Sequence, residues 1–463
     1  MVSRIAQPQY VRRGRRRIRW YILIPLIVIL LGLIIGGGFL IKNIFFPEEK
    51  IKEYSFCNYT VEESKAILSD PNNEEGDYQV KDYLLYGESL SVYAEEYVMG
   101  GKDPLYNKSI MLRNLCTGSE FVYLLGSEVD KQILIYELPV GVYEVYVSSL
   151  IKDERMFMEE EVLDSFYTVT RGGINHKVTL IADDNYFYPD SEDASELTLE
   201  KPYVFLEVTE EELPENVYDI LIDPGHYTND YGPIVEKGHA ANGLIESDET
   251  LKAALVMEKV FTDAGLKVKL IRYGDELVDT YGEGGRVWQV FDGQAKYYIS
   301  NHLNALDDKS VDGTEVMYSS YASSVLAETV LNKIVDNSDL EISGNIGYGN
   351  KIPSVLPCKR TDEGYDAMMM LREPGGKALG AGNISELART QNKPFMEGKS
   401  YGAQAILIEY LYMSNASDAE KWKNNYELYA TLATQGIIDY LKLDLYEDEI
   451  YQPVVEEDTK KKK

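Results

Sequence analysis

Residues 220–226 read ILIDPGH: a compact aliphatic run, an Asp-Pro-Gly turn and a histidine. An apolar run this short, closed by Pro and Gly, reads as a buried strand that stops at the turn. At 246–265 follows ESDETLKAALVMEKVFTDAG, in which Ala254, Met257, Phe261 and Ala264 recur at helical spacing and Gly265 is placed to end the helix. The alternating LKVKLIR at 266–272 predicts the next strand. Farther along, KYYIS (296–300) runs into NHLNA, and GTEVMY (313–318) and QAILIE (404–409) supply further strands. This strand–helix–strand alternation predicts an α/β domain over about 217–445, with a largely parallel sheet flanked by helices.

Upstream the texture changes. Over 78–207 the chain shows short runs rich in Tyr, Val and Leu, such as YLLYGESLSVYAEEY (83–97), ILIYEL (133–138) and YEVYV (143–147). Their alternation, broken by Gly and Pro-Val-Gly, predicts antiparallel strands and an all-β, sandwich-like domain. Both a spacer and a wall- or partner-binding module fit this pattern. Residues 42–77 are polar and acidic and read as a linker, and the charged 446–463 read as a disordered tail.

Residues 20–41, WYILIPLIVILLGLIIGGGFLI, form an uncharged stretch. At about 1.5 Å per residue it spans a hydrocarbon core of about 30 Å. Arginines crowd the basic segment 1–19 before it, and Glu48 and Glu49 follow, so the positive-inside rule predicts a cytoplasmic N-terminus and an extracellular remainder facing the cell wall. A cleaved signal peptide would carry an apolar core of about 7–15 residues and a small-residue cleavage site, which this stretch lacks. The expectation is a single-pass anchor in the cell membrane, with the lipid bilayer as partner. Gly36, Gly37 and Gly38 would let two such helices pack closely, leaving a homodimer or a protein activator open.

The chain of 463 residues carries a formal charge of −31, and seven arginines before Lys42 leave −38 for the rest. Such a surface repels phosphate backbones, which argues against nucleic acid as a partner. The three cysteines, Cys57, Cys116 and Cys358, make neither a disulfide framework nor a zinc-finger spacing; whether Cys57 and Cys116 pair stays open.

The chain has four histidines, and two of them, His226 and His302, lie just past the ends of apolar strands. Glu246 opens the helix after the first of these strands. Sites in open α/β sheets form at the carboxyl ends of strands. Two imidazoles and a carboxylate there make the ligand set of a catalytic Zn2+ with one position left for water. Glu409, ending the apolar run AILIE, is the candidate acid/base, because a carboxylate there is costly without a purpose. Each residue also has a plainer reading: the histidines as strand caps, Glu246 as a favourable charge at a helix N-terminus, Glu409 as a partner of Arg286 or Arg372. His239, in EKGHAANG, reads as a loop residue, and His176 as structural or exposed.

In this order, ILIDPGH, ESDETLKAALVMEKVFTDAGLKVKLIR, YYISNHLNA, GTEVMY and AILIEYLYMSNASD resemble the motifs of the zinc-dependent bacterial N-acetylmuramoyl-L-alanine amidases, which are peptidoglycan hydrolases. The resemblance covers about 217–425. It implies an α/β fold with a mixed sheet, Zn2+ held by His226, Glu246 and His302, Glu409 as catalytic acid/base, and peptidoglycan as substrate. Departures are HYTNDYGP after the first histidine, Asn301 before His302, EYLYMSN at the last strand, and most of Asn337–Lys399. They bear on specificity, access or gating. Two rivals remain: another zinc hydrolase trimming stem peptides, such as a carboxypeptidase, and a catalytically silent wall-binding scaffold. The second would have lost a ligand or the base, and none is lost here.

Overall fold

The structure is a computed structural model that describes residues 57, 59, 61–68, 76–100, 105, 108–126, 129–187, 199–230, 232–346 and 352–443. The basic segment 1–19, the membrane segment 20–41 and the tail 446–463 lie outside the described residues. Among the described residues, no helix is long and apolar enough to cross a membrane. All of them belong to one compact unit, Ser55–Lys463.

The α/β sheet has six strands: β1 (Ile220–Pro224), β2 (Val268–Leu270), β3 (Tyr297–Asn304), β4 (Glu315–Tyr318), β5 (Val355–Pro357) and β6 (Gln404–Tyr412). Their spatial order is β2-β1-β3-β6-β4-β5. Pairing is parallel except between β4 and β6, so the sheet is mixed. The two-residue period of the strands splits their apolar residues between two cores. Ile220, Ile222, Ile299, Ile406 and Ile408 face one, with Met257 and Phe261 of helix α1 (Glu246–Asp263) and Trp422 and Ile437 of a long C-terminal helix, Ala416–Leu441. Leu221, Tyr298, Ala405 and Leu407 face the other, with Met370 and Leu371. A strand buried on both faces must read as continuous hydrophobic sequence, as ILI and AILI do. In α1, Ala254, Met257 and Phe261 are buried as the spacing predicts, whereas Ala264 is exposed in the cap before Gly265, whose φ is +86°.

Residues 77–210 fold into two sheets. The larger has eight strands and is antiparallel except where Asp77–Val80 runs parallel to Asp153–Met158. The smaller contains Asp82–Tyr86, Ser89–Tyr93 and Ile133–Leu134. They enclose one core that includes Leu85, Leu90 and Val92 from the smaller sheet and Ile110, Val145, Val178 and Leu206 from the larger. The ILIYEL run is strand only at Ile133–Leu134. It then turns into a 3-10 segment, Ile135–Glu137, closed by the bond from Leu138 N to Ile135 O.

Two features depart from a beads-on-a-string reading. Within the stretch expected to be a linker, Val61–Leu68 is helical, Cys57 is disulfide-bonded to Cys116, and Leu68 is buried against Val142, Ile181 and Phe205. An eight-residue helix is too short to hold itself in water, so tertiary packing sustains it. The smaller β sheet also gains its fourth strand, Tyr401–Gly402, from just before β6, paired in parallel with Asp82–Tyr86. A buried ion pair adds to this junction, Arg171 gripping Glu88 through both guanidinium nitrogens at 2.8 and 2.7 Å.

Candidate active site

Register delivers the side chains. Across β1 and β3, Asp223 faces Ser300 and Pro224 faces Asn301, so both strands end together; His302 then pairs with Glu409 on β6, and Glu409 with Glu315 on β4. His226 reaches the same place one residue after Gly225, by a turn in which His226 and Tyr227 have φ values of +66° and +68°. Left-handed backbone at two consecutive non-glycine residues costs about 1–3 kcal/mol each, so the surroundings must enforce it. Buried Arg286 does so, donating to the Asp223 carboxylate and to the His226 carbonyl. The amide of Tyr227 is held by Glu236 O at 2.8 Å.

Three ligand-type atoms converge. His226 Nε2 lies 2.8 Å from Glu246 Oε1, and His302 Nδ1 lies 3.1 Å from both His226 Nε2 and Glu246 Oε1. Two glycines make room for them. A Cβ on Gly225 would stand 2.4 Å from His302 Cε1, and one on Gly238 would stand 2.5 Å from Glu246 Oε2. Glu246 is the first residue of α1 and is buried; burial pushes its carboxyl up, but hydrogen bonds and charge from His226 and His302 outweigh this and hold it below the ordinary value. Burial lowers His226, yet its bonds to Glu246 and Glu236 leave it raised.

The donor set fits zinc. Tetrahedral ligands at about 2.0–2.2 Å from a zinc ion stand about 3.4 Å apart, a few tenths beyond the distances seen here. The far side of His226 supports the fit, since its Nδ1 sits 2.8 and 3.0 Å from the two Glu236 oxygens. A carboxylate accepting from Nδ1–H leaves Nε2 with its lone pair toward the other two donors. Glu236 in turn accepts from Gly238 N at 2.7 Å. Sequence reasoning did not find Glu236, because its role depends on the turn that pairs Thr228 with it.

Glu409 lies beside this cluster. Burial raises its carboxyl well above the usual carboxylate range, and the charges of Glu246 and Glu315 push the same way. Its Oε2 is covered and takes no hydrogen bond. The expected alternative partners are engaged elsewhere, Arg286 with Asp223 and Arg372 with Glu373. Buried Glu315, from the GTEVMY run, is tied down by Ser343 Oγ at 2.6 Å and Tyr412 OH at 2.8 Å. The remaining histidines divide. His239 stands exposed at the rim, its ring 3.7 Å from Glu246 Oε2, while His176 is buried at the start of a strand in the β region.

Residues 220–439 match the family described as N-acetylmuramoyl-L-alanine amidase. The amidase LytC of Bacillus subtilis (strain 168) is 31% identical over 148 residues, which make up 30% of this chain and 28% of that protein, so the chain spans less than a third of its relative's length. Among solved structures, amidase AmiC2 of Nostoc punctiforme aligns with 50% of this chain and 99% of its own at 22% identity and a TM-score of 0.33. An N-acetylmuramoyl-L-alanine amidase of Clostridium difficile 630 aligns with 49% of this chain and 98% of its own, at 21% identity and a TM-score of 0.34. With its ordered motifs and the match over 220–439, this region of the chain is similar to the N-acetylmuramoyl-L-alanine amidases.

Proposed function

We propose that this chain hydrolyses the amide bond between the lactyl group of N-acetylmuramic acid and the L-alanine of the stem peptide in peptidoglycan, remodelling the cell wall from a membrane anchor. The observation that carries the reading is the convergence of His226, Glu246 and His302 at the carboxyl end of the sheet, with Glu409 on the neighbouring strand. The family match over 220–439 supplies the identity of the bond.

His226, Glu246 and His302 would hold zinc, which when bound supplies a Lewis acid for the scissile carbonyl and acidifies a water beside it. Glu409 takes the proton of the attacking water on a carboxylate oxygen and delivers it to the departing L-alanine nitrogen. Its raised pKa suits that task, because a carboxyl lifted above its ordinary value by burial is a stronger base. Glu236 fixes the tautomer and tilt of His226, and Arg286 holds the strained turn that presents it. Residues 20–41 would anchor the chain in the cell membrane, with the hydrolase outside.

Digestion of purified peptidoglycan by the full chain, read by mass spectrometry beside Glu409→Ala, tests the reading. Intact stem peptides with a free L-alanine N-terminus should appear and fall by about 10²–10⁴-fold in the variant, with zinc content unchanged. Release of single amino acids would move the assignment to a peptidase, and no product from either zinc-loaded protein to a scaffold.

A further inference from the structure

On one side the eight-stranded sheet of the β region ends in the strand Glu120–Leu124, EFVYL, whose only neighbour among the described residues is Ser109–Asn114. Bonds from Asn114 N to Ser119 O and from Leu125 N to Lys108 O fix which residues turn inward. In an antiparallel pair the hydrogen-bonded residues alternate. Ser119, Phe121, Tyr123 and Leu125 therefore direct their backbone groups to the neighbouring strand, while Glu120, Val122 and Leu124 point N–H and C=O away from it. Among the described residues nothing pairs with those outward groups.

The side chains divide in the same register. Phe121 and Tyr123 pack against the β core, whereas Glu120, Val122 and Leu124 face solvent, Val122 at 51% exposure and Leu124 at 71%. An edge that is open and apolar is a liability, ordinarily blunted by a proline, a bulge or a charge. Here there is no proline and the register is unbroken. The one charge, Glu120, is drawn back by Arg113 Nε at 3.1 Å. Another edge of the same sheet, Val162–Tyr167, does carry such a guard in half-buried Asp164.

We propose that this edge pairs with the same edge of a second copy of the chain, antiparallel about a two-fold axis at Val122. A two-fold contact must be self-complementary, and EFVYL is. Val122 meets Val122, and Leu124 of each copy lies across from Glu120 of the other, so the two carboxylates stay at opposite ends of the joint. Each copy supplies three donors and three acceptors, those of Glu120, Val122 and Leu124. The charge of −31 sets copies against each other at long range, but salt screens it beyond about 8 Å, and at the edge itself the only charge is held by Arg113. The contact lies in the β region and does not depend on the proposed hydrolysis.

Register-specific cross-linking of the detergent-solubilised full chain tests the pairing. Bonded partners in an antiparallel pair stand about 5.5 Å apart between Cα atoms, within the disulfide range of about 4.4–6.8 Å. Val122→Cys should therefore oxidise to a covalent dimer. Glu120→Cys should give at least tenfold less, since its two copies would stand the length of the strand apart, about 14 Å at about 3.4 Å per residue. The native cysteines do not compete, Cys57 and Cys116 being bonded to each other and Cys358 buried. Val122→Lys and Val122→Glu each set like charges opposite one another and should each weaken association at least tenfold in sedimentation, while an equimolar mixture of the two should recover it. That recovery separates a lost contact from a damaged fold. A monomeric unsubstituted chain would overturn the proposal, as would equal cross-linking of Val122→Cys and Glu120→Cys. Dimers that persist in Val122→Lys would also overturn it and move the contact elsewhere, the apolar segment 20–41 included.

Discussion

Glu236→Ala removes a residue outside the expected ligand set, and its effect can be worked out from three contacts. Both carboxylate oxygens of Glu236 lie against His226 Nδ1, at 2.8 and 3.0 Å, and one also takes the Gly238 amide at 2.7 Å. Hydrogen bonds to a charged group are worth about 1.5–3 kcal/mol. Glu236 is 32% exposed, so water takes back part of that. Loss of such a support for a metal-binding histidine lowers affinity about 10–100-fold, and the exposure places this site near tenfold. Glu236→Gln, which keeps an acceptor and loses the charge, should fall between the two. The pH dependence moves the other way. Glu236 helps hold His226 above its ordinary pKa, and a protonated ring competes with the metal. Without Glu236 the ring loses its proton at lower pH, so the midpoint of zinc uptake should shift down while the plateau affinity falls. Competition against a chromophoric chelator from pH 5 to 8 reads both. Plateau affinity within twofold of the unsubstituted chain, with His226→Ala abolishing binding in parallel, would refute the orienting role; so would an upward shift of the midpoint.

Three further outcomes follow from the packing. Gly225→Ala should abolish high-affinity zinc binding without touching a ligand, since its Cβ would meet His302 Cε1 at 2.4 Å and Asn301 O at 2.7 Å, and equilibrium dialysis checks this. Arg286→Met should cost about 3–5 kcal/mol in denaturant unfolding by stranding buried Asp223. Burial pushes Asp223 up, but Arg286, Tyr298, His302 and Ser300 together leave it lowered. Its stabilising contribution is therefore present above its unfolded pKa and lost as pH falls through the folded one, and in Arg286→Met,Asp223→Asn that acid-side loss should flatten. Replacing Cys57 and Cys116 by alanine opens a loop with a sequence separation of 59 and should lower stability by about 2–4 kcal/mol, read from urea midpoints.

Sequence disclosed what depends on local pattern. Strands buried on both faces announce themselves as ILI and AILI, and the groups just past their ends, His226, His302 and Glu409, fall at one edge because the strands are parallel and in register. Glu246 was legible because it opens an amphipathic helix. Glu236 was not, since nine residues of irregular loop separate it from His226 and only the left-handed turn brings the two together. Arg286 was weighed as a partner of Glu409 and is instead committed to Asp223, a choice made by tertiary distance rather than spacing. The helix at Val61–Leu68 hid in acidic, loop-like sequence because its hold comes from Leu68 packing and from a cysteine far along the chain.

The strand at Tyr401–Gly402 has a consequence in time. Its partner, Asp82–Tyr86, is made more than three hundred residues earlier, so the smaller sheet must wait for nearly the whole chain before its edge is closed. At about 5–20 residues per second, synthesis leaves that edge open for on the order of 15–60 s. An open edge is a template for any passing strand. A nascent chain stalled or clipped before residue 401 is therefore expected to be recovered as aggregate or chaperone-bound rather than as a free β domain. The β region and the α/β region would then mature as one piece, and a truncated product would carry neither.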